Sequence, residues 1–338
     1  MRLSALLLNS YVYACIPHLV KIASPWMRIF GKKLGSLHGG EPPADVMELE
    51  GYPQRAALET CRAWFLDAKC RRVSVGRLEQ HVARNIVVDP MLVEMIQKIG
   101  NRSAIICTPH YGSFMDCALW MIGQSTAERP LQFFYDPPSR VDKNASFDEL
   151  FLKFSDRAEV LHNNNRGVIS ALKRLRKGGL LGMMPDVLQE PEKSVSVPFC
   201  GRLYPVMQGS AFFAIKSNAP IITVYSVPDP SGPRTRLMLG TVLEPADYLC
   251  GEDEEQSIFE MTRALYADLD AQLRREPWHW AYWNNVGIYG KLIPPASRYE
   301  LQDGLKLLAH LCEKTPELTR QVPALRQYMV DVDAAPLA

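Results

Sequence analysis

The chain is 338 residues long, with 38 basic and 37 acidic side chains, a formal net charge of +1 and 47% hydrophobic residues. That length can bury a full core in one large domain; the composition excludes a disordered chain, and the balanced charge excludes a whole-molecule field that would hold nucleic acid. Cysteines at positions 15, 61, 70, 107, 117, 200, 250 and 312 form no C-x-x-C pair and no Cys/His zinc spacing, and read as reduced core residues of a cytoplasmic protein.

The first predicted element is LSALLLNSYVYACIPHLV, an apolar stretch broken by Asn9, Pro17 and His18. It falls short of the ~20 apolar residues that span a bilayer, and no small-x-small cleavage site follows it. With Lys21, Trp26, Arg28, Lys32 and Lys33 behind it, it reads as an interfacial helix at a membrane surface, the alternative being a hydrophobic helix packed on the domain. The Gly- and Pro-rich residues from 31 to 55 are a connecting loop. From Ala56 to Ile99 apolar residues recur at three and four, as in Leu92, Met95, Ile96 and Ile99, which predicts helices; Gly100 ends the last.

The period then changes. SAIICT (103–108) is a β-type run, and PHYGSF leads from it into the helical stretch MDCALWMIGQ, leaving His110 where a strand hands over to a helix. LQFFY (131–135) is a second strand, FDELFLKFSD (147–156) a helix and AEVLH a third strand. GVISALKRLRKGG is a helix ended by Gly178 and Gly179, and LLGMMPD is the strand after it. VSVPF, a helix at GSAFFAIKSN, strands at APIITVYSV and RLMLGTVL, and a helix over 257–275 complete the run. Lys173, Arg174, Arg176 and Lys177 crowd one helix, as a solvated face or as a seat for anionic lipid headgroups. The alternation predicts an α/β fold, with a mixed, mostly parallel central sheet flanked by helices and an N-terminal helical membrane-associating region. Such sheets bind ligands at the carboxyl ends of their strands, where His110 and Asp186 would share one crevice.

A histidine just past a strand, with a carboxylate on the following helix, is a workable general-base unit: one ring nitrogen takes a proton while the acid fixes the tautomer. His110 and Asp116 are the candidate pair. PHYGSFMDCALWM resembles the strand-to-helix motif of the lysophospholipid acyltransferase superfamily, in which a histidine is followed by four residues and then Asp or Glu. Three further segments resemble the lipid A late-acyltransferase branch in the same order: NRGVISALKRLRKGGLLGMMPDV, SVPFCGRLYPVMQGSAFFAIKSNAPIITVYSV and EPWHWAYWNN. The resemblance runs from about Cys61 to Trp283.

The resemblance implies an acyltransferase domain over 56–300, with 1–55 as a membrane-associating helix and loop and 301–338 as a C-terminal helical extension. It implies acyl transfer from a thioester donor, acyl carrier protein or coenzyme A, to a hydroxyl or amine of a lipid-like acceptor. The place is the cytoplasmic face of the bacterial inner membrane, and no cofactor or metal is needed. His110 is then the base and Asp116 its partner. Arg166 matches an arginine placed near a phosphate, where its planar fork binds oxygens bidentately. Asp186 braces the crevice or binds an acceptor hydroxyl; Ser113, beside His110, and Gly209, at a helix start that offers N–H groups to an anion, complete the substrate-binding set. Asn165 reads as a helix cap, and the Trp278, Trp280, Trp283 cluster as a packed core edge.

One position departs from the family pattern. The spacing puts the carboxylate at 115, where this chain has Met115, and Asp116 is turned by ~100° from that place on a helix. Asp116 meets His110 only if the loop through Gly112 carries one extra residue; otherwise Asp186 is left to orient the imidazole. The departure keeps two further readings open: transfer of a non-fatty group such as an aminoacyl unit, and a catalytically inactive lipid-binding homologue. No G-x-S-x-G elbow supports a soluble esterase.

Overall fold

Short aliphatic runs bounded by turn residues form the strands, and stretches of helical period form the helices between them. The computed structural model describes residues 72–137, 145–187, 194–199, 202–232 and 234–280. The apolar N-terminal segment, its loop and the C-terminal extension expected above lie outside the described residues. In chain order the elements are α1 (Val75–Asn85), β1 (Ile86–Val88), α2 (Pro90–Ile99), β2 (Ala104–Cys107), α3 (Phe114–Gly123), β3 (Leu131–Tyr135), α4 (Ala145–Leu152), β4 (Ala158–His162), α5 (Asn165–Leu175) and β5 (Leu180–Met183). The chain continues through β6 (Val195–Phe199), β7 (Arg202–Val206), α6 (Gly209–Ser217), β8 (Ile221–Pro228), β9 (Thr235–Leu243) and α7 (Glu254–Arg275).

A seven-stranded sheet has the order β1-β9-β8-β2-β5-β3-β4. Every neighbouring pair from β8 to β4 is parallel; β9 runs antiparallel to β8, and β1 pairs parallel with β9. The mixed, mostly parallel α/β fold read from the sequence is the fold observed, with two additions. Ile86, Val87 and Val88 sit in a region whose period predicts helices throughout, yet three adjacent β-branched residues favour a pleated surface, and β9 supplies the edge they pair with. β7, with Pro205 inside it, carries a weak strand signal and forms a separate two-stranded antiparallel sheet with β6.

β2 is buried along its whole length. Its side chains alternate between faces: Ala104 and Ile106 pack with Leu119 and Met121 of α3, while Ile105 and Cys107 pack with Ala171 of α5, Phe213 of α6 and Leu265 of α7. A further apolar cluster gathers Tyr111, Phe199 and Tyr204 with Tyr266 and Trp280. Helices from both faces thus converge where β2 ends. Among the described residues no helix is long and apolar enough to cross a membrane.

Candidate active site

β2 and β5 are parallel neighbours, with Cys107 opposite Met183. The same short step beyond each of those residues leads to His110 and to Asp186, so equal extensions of paired strands bring the two together. His110 Nδ1 lies 3.0 Å from Asp186 Oδ1, and the His110 backbone N–H donates to Asp186 Oδ2 at 2.8 Å. The indole N–H of Trp280 donates to that same Oδ2 at 2.8 Å. An ionised carboxylate only accepts, so the network assigns the ring proton to Nδ1 and leaves Nε2 as the basic nitrogen. Asp186 is 1% exposed, and a charge so deeply buried is tolerated because donors surround it. The Phe114 ring packs on the imidazole with centroids 4.8 Å apart, and the Tyr266 hydroxyl donates to the Pro185 carbonyl, tying the turn before Asp186 to α7.

His110 lines a cavity of about 360 Å³ among the strand ends, α3 and α6. Its walls are mostly apolar, with Met121, Leu131, Phe133, Phe151, Met183 and Met207 among them. Polar lining comes from the buried hydroxyls of Thr108 and Ser210, and from Asp136 and Asn163, which hydrogen-bond to each other at 3.0 Å past the ends of β3 and β4. Burial pushes the Cys107 thiol up to about 12, a contact with Ser210 easing the shift and the Asp186 charge adding to it. Burial likewise pushes the Cys117 thiol up to about 12, eased by Thr108 and reinforced by Asp116. Neither is a thiolate at neutral pH.

Residues 54–283 match the model of the family described as bacterial lipid A biosynthesis acyltransferase. The chain belongs to that family. No curated protein matches it. Membership in the lipid A acyltransferase family makes the protein an acyltransferase, and the crevice at the end of β2 is where its chemistry is to be sought.

Within this acyltransferase, Asp116 is not the acid that meets His110. Its Oδ1 lies 2.7 Å from His81 Nε2, and its Oδ2 accepts from Thr235 Oγ1 at 2.5 Å. Gly112 does adopt the left-handed conformation that an adjusted loop requires, with φ of +58°. What that conformation achieves is a close pass over β8: a Cβ at Gly112 would sit 1.9 Å from the Ser226 carbonyl oxygen, and the Gly112 N–H donates to the His279 carbonyl at 2.7 Å. α3 then starts at Phe114 and presents Cys117, Ala118 and Met121 to the cavity, while Asp116 points towards α1 and β9. The expected His110–Asp116 pair is therefore replaced by His110–Asp186, the alternative that the Met115 departure had left open.

The other expected residues divide. Gly209, the first residue of α6, lines the cavity. Ser113 is buried at the N-cap position of α3, where its carbonyl accepts from the Asp116 N–H at 2.8 Å, and it is not part of the cavity lining. Arg166 is exposed on the first turn of α5, outside that lining. Asn164, rather than Asn165, caps α5 by accepting from the Gly167 N–H at 2.9 Å. Among the described residues no group of three or more His, Cys, Asp and Glu side chains is gathered as metal ligands. Two residues escaped the sequence reading. Trp280 lay within a segment read as packing, and Thr108 is marked by nothing except its place just before His110.

Proposed function

We propose that the protein transfers an acyl chain from a thioester donor, acyl carrier protein or coenzyme A, to a hydroxyl or amine of a lipid-like acceptor, with His110 as general base. The observation that carries this reading is the contact of His110 Nδ1 with the buried Asp186 on the wall of an apolar cavity. Nε2 takes the proton of the acceptor O–H or N–H as that atom attacks the thioester carbonyl carbon. Backbone N–H groups at the start of α6, Gly209 first, meet the oxygen on which negative charge develops, aided by the positive end of the helix dipole. Collapse of the tetrahedral intermediate breaks the C–S bond, and the imidazolium returns its proton to the departing thiolate. Asp186 stays ionised throughout and steadies the imidazolium.

The apolar walls suit the hydrocarbon of the donor, since burying each methylene contributes ~0.8 kcal/mol. Arg166, exposed on α5, suits a phosphate of donor or acceptor. The N-terminal apolar stretch, with its Trp and Lys residues, would hold the enzyme at the cytoplasmic face of the inner membrane, where an amphipathic acceptor resides. An acid at His110 Nδ1 supports a working base over a lipid-binding homologue that has lost its dyad. The test is His110→Ala, assayed with thioesters of coenzyme A and of acyl carrier protein and a bacterial lipid extract as acceptor. A positioned base contributes ~10²–10⁴-fold, so the variant should lose at least about a hundredfold in rate; activity within about tenfold of wild type removes His110 from the mechanism.

A further inference from the structure

We infer that Thr108 is a further catalytic residue, whose hydroxyl donates a hydrogen bond to the thioester carbonyl oxygen as that oxygen becomes an oxyanion. This rests on the acyl-transfer reading above and assigns it a side-chain donor.

Thr108 is the first residue past β2, and its N–H donates to the Met183 carbonyl at 3.0 Å, which fixes its backbone to the end of β5. The residue is 6% exposed, and, apart from a weak contact with the Cys117 thiol, Oγ1 has no hydrogen-bond partner. Folded proteins seldom leave a buried hydroxyl unpaired, because its lost solvation then goes uncompensated. Among the described residues several buried side-chain atoms lack partners, but Thr108 Oγ1 is the one whose residue lines the cavity together with His110. Cys117 in the same lining offers only a thiol, a weak partner. A donor held unsatisfied beside a base, inside an apolar cavity, fits a ligand oxygen that arrives with the substrate.

A second set of donors lies close by. The Cys107 thiol donates to Ser210 Oγ at 3.4 Å, which sets the first turn of α6 against the end of β2. Gln208 at the N-cap makes no side-chain capping bond, and Gly209 and Ser210 line the cavity. The first N–H groups of a helix have no partners within it, and they favour negative charge. A neutral hydroxyl and a helix start can stabilise charge that appears only in the transition state, which is what a thioester carbonyl requires. No proton leaves Thr108: the proton of the acceptor goes to His110 and on to the thiolate.

The experiment compares Thr108→Val, which keeps the shape and removes the hydroxyl, with Thr108→Ser, which keeps the hydroxyl. Both are assayed on dodecanoyl-coenzyme A and dodecanoyl acyl carrier protein with a bacterial lipid extract as acceptor. Loss of one oxyanion donor should lower kcat of Thr108→Val by ~10²–10³-fold with KM for the thioester within about threefold, while Thr108→Ser stays within about tenfold of wild type. The thermal midpoint of Thr108→Val should be unchanged or raised, since an unpaired buried hydroxyl is removed. A kcat for Thr108→Val within about threefold of wild type overturns the assignment, as does an equal loss of rate in the serine variant. If His110→Ala is inactive while Thr108→Val is not, Thr108 alone is dismissed; if wild-type protein turns over neither thioester, the acyl-transfer reading falls with it.

Discussion

His110 meets Asp186 at the open end of β2, and His81 meets Asp116 on the far side of α3, at similar distances of 3.0 and 2.7 Å. Their surroundings differ. At His110 the carboxylate holds Nδ1, Trp280 and the His110 N–H hold the carboxylate, and the ring lines a cavity. At His81 the Asn85 amide lies 3.0 Å from Nδ1, which assigns the ring proton to Nε2 and points it at Asp116, while Thr235 occupies the second carboxylate oxygen. Both nitrogens of His81 are thus engaged within the protein, and the contact joins α1, α3 and β9. A His–Asp pair that borders a space for substrate is placed to serve as a base, and one whose polar atoms the fold takes up is placed to serve as a fastener.

The largest effect expected from this difference is on rate. Asp186→Asn presents an amide where a carboxylate oriented the imidazole, so acyl transfer should fall by ~10²–10⁴-fold. Asp116→Asn should leave the rate of the folded enzyme within about tenfold, measured on the same thioesters. If the two variants exchanged these outcomes, the assignment of roles would be reversed.

The next effect is on stability. Asp116→Asn weakens the charge-assisted contacts of two buried partners, His81 and Thr235, and should lower the unfolding free energy by ~1–3 kcal/mol in urea titrations. An unchanged midpoint would show that the three elements are held by apolar packing alone.

These two aspartates also mark how far the sequence could be read. β2, β3, β4 and β5 were legible because each is a short apolar run between turn residues, and with them the placing of His110 and Asp186 just after strands. The choice of partner was not. It depends on β5 lying next to β2 although β3 and β4 intervene in the chain, and strand order is a matter of tertiary packing that no local period encodes. Asp116 stands one residue past the place that the family spacing gives a carboxylate, and only Thr235 and His81, both distant in sequence, show where it turns. Thr108 was silent for a similar reason: an unpaired hydroxyl is defined by what does not surround it.

A smaller effect sharpens the first half of the comparison. Trp280→Phe keeps an aromatic ring in the cluster with Phe199 but removes the donor to Asp186 Oδ2. Hydrogen bonds to charged groups contribute ~1.5–3 kcal/mol, and with two His110 donors still on the carboxylate the loss in kcat should be about tenfold, KM being little changed. A wild-type kcat would reduce Trp280 to the packing residue its sequence context suggested.

The smallest effect uses the cysteines that neighbour each pair. The Cys107 and Cys117 thiols, ordinarily near 9.0, are pushed by burial up to about 12. Below pH 9 folded and unfolded chains both keep these protons and the thiols leave stability unchanged; as pH rises from about 9 towards 12 the unfolded chain sheds them first, so stability falls across that window. At pH 8 both are therefore buried neutral thiols that iodoacetamide should label slowly, Cys107 through local opening and Cys117 through the cavity or local opening. If the His81–Asp116 contact fastens α1 to α3, Asp116→Asn should speed labelling of Cys117 several-fold and leave Cys107, packed on the other face of the sheet, at its wild-type rate, as read by mass spectrometry of the separated peptides. Equal acceleration at both cysteines would mean that the contact supports the whole domain and is no local fastener.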